Sequence, residues 1–484
     1  MTKKNLITLS LVLFYGAVVL VIGCIPETTL QWSADGSKGI YSKKGALFLV
    51  DGPTGSLTQI ASRETTTDWP AVSPDGALFA YGQIVKVDDF NRALNLLPAL
   101  QIKTIKADAE ILKNKILAEG VKNETLPSLG ESFNEQHTNW VNRLLIETAD
   151  KELSGKIKSS TVSKIRNQEL IYYQLVLAPT ADPNDKKILA TSNQQLWRVR
   201  FSPDSKVIAY VINPARAKTF EAGFDLYVAS CDKKTPPAFA ASAVAIGFDF
   251  RQDSCAIAYL KPEDENFKEQ KLLLGSLVEK TIVDPNGKFL AAPDENTKSY
   301  ICTGPTKEFA GVLYYSWMSV LYARDNRIFF SSAKITLPSS KLDSEEGSVF
   351  CCDTLTGAVS DILPRLALDF SQGNTHLFAL SQDSRKMLLP GKNNILGIYR
   401  LGPDIESSKV LVDVNENFGD DAPPKLYSQW KGPDQISCLV SEKSRYLTAD
   451  PNAPARRKEI IILDDKGNLV QVLSKSWPDE LLEF

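Results

Sequence analysis

Cys24 closes an apolar run, and its thiol is the group in this sequence best placed for covalent chemistry. The chain opens MTKKNLITLSLVLFYGAVVLVIGC, with Lys3 and Lys4 followed by apolar residues from Leu6 to Gly23. A cationic start, an apolar stretch and a small residue at its end are the layout of a secretory signal. The run also has about the minimum length of a membrane-spanning helix, which is the competing reading. Other reactive side chains do not converge. Two histidines, His137 and His376, lie in unlike segments, too few for a multi-histidine metal centre. Neither a Gly-x-Ser-x-Gly elbow nor a Gly-x-x-x-x-Gly-Lys-Ser/Thr phosphate loop occurs. Pro262 to Asn266 lacks the ligand spacing of a calcium loop, and Asn415 to Asp421 is a loosely acidic stretch open to a cation. Six further cysteines (Cys231, Cys255, Cys302, Cys351, Cys352 and Cys438) show no zinc-ligand spacing. An even count permits disulfides in an oxidising compartment. Buried free thiols are the first expectation, because Cys351 and Cys352 are neighbours in a strand-like run and point to opposite faces. No catalytic residue, metal or cofactor is implied.

The elements that position these residues are read from a repeat. The phrase WRVRFSPDSKVIAYV starts at Trp197, and a near-copy, IGFDFRQDSCAIAYL, starts at Ile246. Two further copies carry Asp35 and Asp75, and in all four a tyrosine follows the aspartate by six residues: Tyr41, Tyr81, Tyr210 and Tyr259. Weaker copies surround Asp325, Asp383 and Asp434. Asp with Gly or Ser suits a tight turn, because the carboxylate bonds its own backbone. The flanking β-branched and aromatic runs read as strands. Asp35, Asp75, Asp204, Asp253, Asp383 and Asp434 are therefore read as structural turn formers, not ligands.

A second phrase follows the first: LFLVDGPTGSLTQIA from Leu47, VFCCDTLTGAVSDIL from Val349 and IIILDDKGNLVQVLS from Ile460. Together the two make a four-stranded antiparallel unit. Repeating such a unit around an axis buries both of its faces against neighbours. The expectation is an all-β β-propeller of about seven blades, with six to eight in range. It would run over residues 31–484.

Asp75 and Asp204 are separated by 129 residues, and the character of the excess is helical. Ile102, Ile105, Ala109, Leu112 and Ile116 step by three and four, one apolar helix stripe ended by Gly120. Ser128 to Glu131 reads as a capping box for a second helix carrying Phe133, Trp140 and Leu144 and extending to Leu153 and Ile157. Ile171 then restarts a strand. An α-helical hairpin over residues 89–169, inserted in the second blade, is predicted. Such an insertion either stays folded as plain structure or forms an arm that contacts a partner.

Two resemblances extend this reading. Val21-Ile22-Gly23-Cys24 resembles the bacterial lipoprotein lipobox. That implies a signal peptide over 1–23, cleavage between Gly23 and Cys24, acyl chains on Cys24 and a short tether over 24–30. Several chains on one residue meet the two-signal requirement for stable anchoring. Ile25 after the cysteine, by resemblance to enterobacterial sorting, favours the outer membrane. The phrase F-S-P-D-S/G-x-x-I/L-A-Y resembles the repeat of TolB-type β-propellers, also found in propellers of prolyl-oligopeptidase-like peptidases.

The TolB resemblance implies a non-catalytic envelope scaffold that contacts another envelope protein, and the lipobox resemblance implies that it is anchored to the membrane. A formal net charge of −3, or −5 once Lys3 and Lys4 are lost, argues against nucleic acid as a partner. Two competing functions stay open. One is a small-ligand or glycan binder using Trp69, Trp197, Trp317 or Trp430 at the channel, although core packing is the first expectation for these tryptophans. The other is a hydrolase or lyase using channel carboxylates, which come from distant blades and leave no local motif.

Overall fold

The computed structural model describes residues 28–43, 45–62, 69–121, 126–130, 133–216, 223–232, 235–262, 275–284, 297–301, 311–312, 314, 316, 320–322, 326–335, 342–362, 378–383, 385–390, 395–401, 410–413, 429–441 and 458–482. Residues 1–27, with Gly23 and Cys24, lie outside them, as do Cys302, Trp317, Asp325, His376 and the Asn415–Asp421 stretch.

Strands follow one another into separate antiparallel sheets, each built from consecutive chain. The first holds β1 (Thr28–Trp32), β2 (Lys38–Lys43), β3 (Ala46–Asp51) and β4 (Leu57–Ala61). The second holds β5 (Ala71–Val72), β6 (Leu78–Lys86), β7 (Ile171–Pro179) and β8 (Lys187–Ser192). The third holds β9 (Leu196–Phe201), β10 (Val207–Ile212), β11 (Phe224–Ser230) and β12 (Ala238–Val244). The fourth holds β13 (Phe248–Phe250), β14 (Ala256–Pro262), β15 (Gly275–Thr281) and β16 (Thr297–Ile301). The fifth holds β17 (Gly311–Val312), β18 (Val320–Tyr322), β19 (Arg327–Ile335), β20 (Leu342–Asp353) and β21 (Val359–Asp361). The sixth holds β22 (Ala379–Leu380), β23 (Lys386–Pro390), β24 (Ile395–Arg400) and β25 (Val410–Asp413). The seventh holds β26 (Gln429–Lys431), β27 (Gln435–Ser441), β28 (Lys458–Asp464) and β29 (Leu469–Val472).

These sheets are the blades of a seven-bladed β-propeller, and the apolar clusters show the ring closing. One cluster joins blades one and two, another two and three, and so on to six and seven. A further cluster joins blade seven to blade one, packing Leu439, Ile460 and Trp477 against Leu30, Trp32 and Tyr41. Among the described residues the ring closes without an exchanged strand, since β1 and β29 each stay in their own sheet. Its seam is held instead by side chains: the Trp32 Nε1 donates to Ser437 Oγ (2.9 Å), Tyr41 Oη to the Leu481 carbonyl (2.7 Å) and Trp477 Nε1 to the Gly55 carbonyl (2.6 Å).

The repeat tyrosines now have a physical role. Tyr41, Tyr81, Tyr210 and Tyr259 occupy the second strand of blades one to four, all buried, each in the cluster shared with the preceding blade. Cys351 and Cys352 are buried and unbridged, one facing blade six and the other blade four.

Between β6 and β7 the insertion forms α1 (Phe90–Leu96), α2 (Ala99–Glu119), α3 (Glu135–Glu147), α4 (Lys151–Lys156) and α5 (Ser159–Asn167). The long pair α2 and α3 corresponds to the expected hairpin, and three short helices extend it. Pro98 separates α1 from α2, because a proline disfavours helical backbone in the residue before it. Asp150 caps α4 by accepting from the Leu153 amide, which breaks the continuous second helix that the sequence suggested. The capping box at Ser128 is corrected too. The residue that caps α3 is Asn134, whose Oδ1 accepts from the Gln136 amide at 2.8 Å, six residues further on. The α2 stripe behaves as expected, with Ile105, Ala109, Leu112 and Ile116 buried and Gly120 ending the helix at φ +72°.

Candidate functional site

Antiparallel strand order gives the ring two faces. Turns between first and second strands, and between third and fourth, lie on one face. Turns between second and third strands, and the connections between blades, lie on the other, which also carries the insertion and the start of β1.

The aspartates singled out from the repeat lie on the first face. Asp35 Oδ1 accepts from the Ser33 hydroxyl (2.7 Å) and the Ser37 amide (2.9 Å). The same pair of bonds recurs at Asp75, Asp204 and Asp383. At Asp253 an arginine replaces the serine: Arg251 Nε donates to both carboxylate oxygens at 2.9 Å. Asp434 instead meets the Lys386 ammonium of blade six. Burial pushes the Asp35, Asp75, Asp253 and Asp383 carboxyls up, but their hydrogen bonds outweigh it and hold each below the usual 3.8. The turns also join blades, through the Ala34 amide to the Pro74 carbonyl, the Asp75 amide to Ser205 Oγ and the Asp204 amide to Ser254 Oγ. Their carboxylates are spent on backbone. Among the described residues no group of three or more His, Cys, Asp or Glu side chains could hold a metal ion.

From the insertion on the second face a cleft of about 900 Å³ runs down the outer flank of the ring, along the outer strands of blades two and three. Leu96 and Leu100 wall it on the insertion side, and Pro236, Pro237 and Phe239 on the blade-three side. Its floor is Ile188 to Thr191, four consecutive residues of β8, the edge strand of blade two. Eight large apolar side chains are exposed among the described residues, and four of them (Leu96, Leu100, Ile188 and Phe239) line this cleft. Tyr172, Tyr210 and Tyr227 also line it, as do the charged Lys86, Asp88, Asp89 and Arg92. Burial pushes all three phenols above their ordinary range, so they act as neutral aromatic walls. Nothing in sequence spacing announces this site, because its residues come from six blade strands, two helices and their connectors. The available signal was apolar residues at helix and strand positions that the periodic stripe leaves outside.

A buried polar cluster sets the angle between insertion and ring. His137 Nε2 lies 2.8 Å from Asp108 Oδ2, and Arg216 from the β10–β11 connector donates to Asp108 Oδ1 at 3.0 Å. Both side chains of the His–Asp pair are almost wholly buried. Burial pushes the imidazole down, with Asp108 opposing, so His137 is held below its usual value. Phe133 stacks on His137, and Arg216 lies over Phe133 at 5.6 Å. The Asn134 amide donates to the Ala215 carbonyl, and Gln101 bonds Ser192 Oγ and the Asn193 amide. Sequence reasoning missed this cluster. Its signal was Asp108 standing inside the apolar stripe of α2. The tryptophans considered as stacking platforms divide: Trp197 and Trp430 are buried, while Trp69 is half-buried beside the axis.

No family model matches the sequence, and neither does any curated protein. Solved structures resemble it in fold. The propeller domain of the Trilobed protease from Pyrococcus furiosus, described as having an open velcro topology, is 10% identical. The match covers 94% of this chain and 98% of that one, with a TM-score of 0.45. TolB from Acinetobacter baumannii is 11% identical over 91% of this chain and 77% of its own, with a TM-score of 0.35. Hydrazine synthase of Kuenenia stuttgartiensis is 11% identical over 78% and 77%, with a TM-score of 0.42.

Proposed function

We propose that this propeller is a membrane-anchored envelope scaffold that holds an extended segment of a partner protein in the cleft beside blade two. The observation that carries it is the pairing of a free strand edge with apolar walls. Among the described residues β8 pairs only with β7, so its outer backbone edge is a template for another strand. A strand residue fills about 160 Å³, from about 3.3 Å of rise, 4.8 Å of strand spacing and 10 Å of sheet spacing. A cleft of about 900 Å³ therefore takes about five to six residues, close to the length of β8. Alternate side chains of the added strand would meet Leu96 and Leu100 on one side and Phe239 on the other.

Lipidation of Cys24 would orient the scaffold. The first strand begins at Thr28, on the face that carries the insertion. Four residues of fully extended chain reach about 14 Å. The insertion face would then sit on the bilayer side, with the cleft running away from it along the flank of the ring, within reach of an anchored partner.

The test is photo-crosslinking in cells from Ile188, with Leu355 on the opposite face as control, followed by amide exchange on the complex. A protein adduct from position 188 but not 355, with slowed exchange at Ile188 to Thr191, is the expected result. Equal adducts from both positions, or unchanged exchange in the bound state, would refute strand addition. Repeating the experiment in Cys24→Ala separates anchoring from binding: acyl chains absent by mass spectrometry are expected, and acyl chains retained would remove the lipobox reading.

A further inference from the structure

The innermost strand of blade three carries a cation without a counter-ion of its own. Arg198 lies on β9, and its guanidinium carbon is 5.9 Å from the Trp69 ring centroid and 5.8 Å from that of Phe248. Those rings belong to the connector entering blade two and to the first residue of β13 in blade four, so a ring stands to either side of the arginine. Two residues on, Arg200 Nε meets Asp249 Oδ1 at 2.8 Å. Asp249 Oδ1 also accepts from the Phe250 amide, so the nearest carboxylate is already engaged. Among the described residues no carboxylate, carbonyl or hydroxyl accepts from Arg198. Burial, with repulsion from Arg200, pushes its guanidinium down to about 9 despite the attraction of Asp249.

Two physical costs meet at this point. Arg198 is half-buried, and a half-buried charge that no hydrogen-bond acceptor meets still bears part of the cost of desolvation. Trp69 has φ +69°, the left-handed region, which a bulky residue enters only under strain. Strain and an uncompensated charge in one place mark a site that a ligand completes. The chain direction places it: β9 starts on the insertion face, and Arg198 is its third residue, so the group sits near that mouth of the central channel. A guanidinium between aromatic walls keeps its N–H donors for an oxyanion, a carboxylate or phosphate that it can bind with two parallel hydrogen bonds.

We infer that the channel mouth on the insertion face binds a small ligand through a carboxylate or phosphate group held by Arg198, with Trp69 and Phe248 as walls. This site is separate from the cleft and does not depend on it.

The test is calorimetric titration of the full chain in detergent with benzoate, its neutral isostere benzamide, and inorganic phosphate. Saturable binding of benzoate, of phosphate or of both, with benzamide at least tenfold weaker, supports the site and says which oxyanion it prefers. Arg198→Met should lower that affinity at least tenfold. Arg198→Lys keeps the charge without the fork and should fall between the two. Absence of saturable binding in the wild-type protein would overturn the inference whether or not the variants fold. Equal binding of benzamide, or unchanged affinity in Arg198→Met, would overturn it too.

Discussion

Replacing Trp477 by alanine tests how the ring is closed. With no strand shared between blades seven and one, the seam depends on side chains, and Trp477 is the largest near the C-terminal end of the chain. It is 4% exposed, its ring lies 5.0 Å from that of Tyr41, and its indole nitrogen donates to the Gly55 carbonyl. Truncating a buried tryptophan costs about 3–5 kcal/mol, and an orphaned carbonyl adds about 1 kcal/mol where water reaches it. At about 2.1 cal/mol/K per residue, a body of about 450 residues has an unfolding entropy of about 1 kcal/mol/K. Trp477→Ala should therefore lower the melting temperature by about 4–6 °C in differential scanning calorimetry. Leu355→Ala, at a side chain 79% exposed in a blade-five turn, is the control and should move it by under about 1 °C. Limited proteolysis should then cut first near β1 or β29. A drop of under about 1 °C for Trp477→Ala would refute closure through this contact, since it would fall within the range of surface substitutions. Cleavage beginning in the middle blades would refute it as well.

Deleting Asn91 to Asn167 and rejoining the ends through a short Gly-Ser link should leave a folded propeller, read by circular dichroism and proteolysis. The β6–β7 ladder continues in register to Lys86 opposite Ile171, and the insertion has an apolar cluster of its own, so a collapsed, protease-sensitive product would show that the helices belong to the ring core. Acid should loosen the turn face. Asp35, Asp75 and Asp383 are held below 3.8 in the folded protein, so their stabilisation is complete above the unfolded value and is lost as pH falls through the folded values. Melting temperatures from pH 5 downward should fall less steeply in the triple Asp→Asn variant than in the wild type; equal slopes would remove these turns as the cause.

The ring was legible because its repeat is a consequence of packing. Each copy must place an aromatic at the same depth of its second strand, so Tyr41, Tyr81, Tyr210 and Tyr259 recur at one spacing and fill successive interfaces. Turn aspartates recur for an equally local reason, since each closes its hydrogen bonds within a few residues. The second phrase was legible likewise, with Asp51 and Asp353 accepting from residues two to three further on. Helix boundaries in the insertion were less so. Several residues there are competent caps, and tertiary packing chose Asn134 and Asp150 over Ser128. The cleft and the Arg198 site were not legible, because each joins side chains from separate strands and connectors. Arg198 and Arg200 read as ordinary polar positions of an alternating strand until the rings of two neighbouring blades are placed beside them.

The insertion illustrates how an added element gains a fixed position without disturbing the repeat. It leaves the ring at the end of a two-stranded ladder, where the chain already turns, so no blade interface is interrupted. Apolar packing alone would let such an element pivot, because burial is non-directional. The Asp108, His137 and Arg216 contacts are directional, and they join two helices to a connector of blade three. Asp108 is fully buried while Arg216 is 61% exposed, so the pair is screened on the arginine side, but turning the insertion away would leave the buried carboxylate one partner short. Gln101 fixes the same angle from α2 by bonding the end of β8. The spacing between Leu100 and the β8 edge, and with it the width of the cleft, is therefore set by hydrogen bonds on either side of α2, independent of the apolar side chains that line the opening.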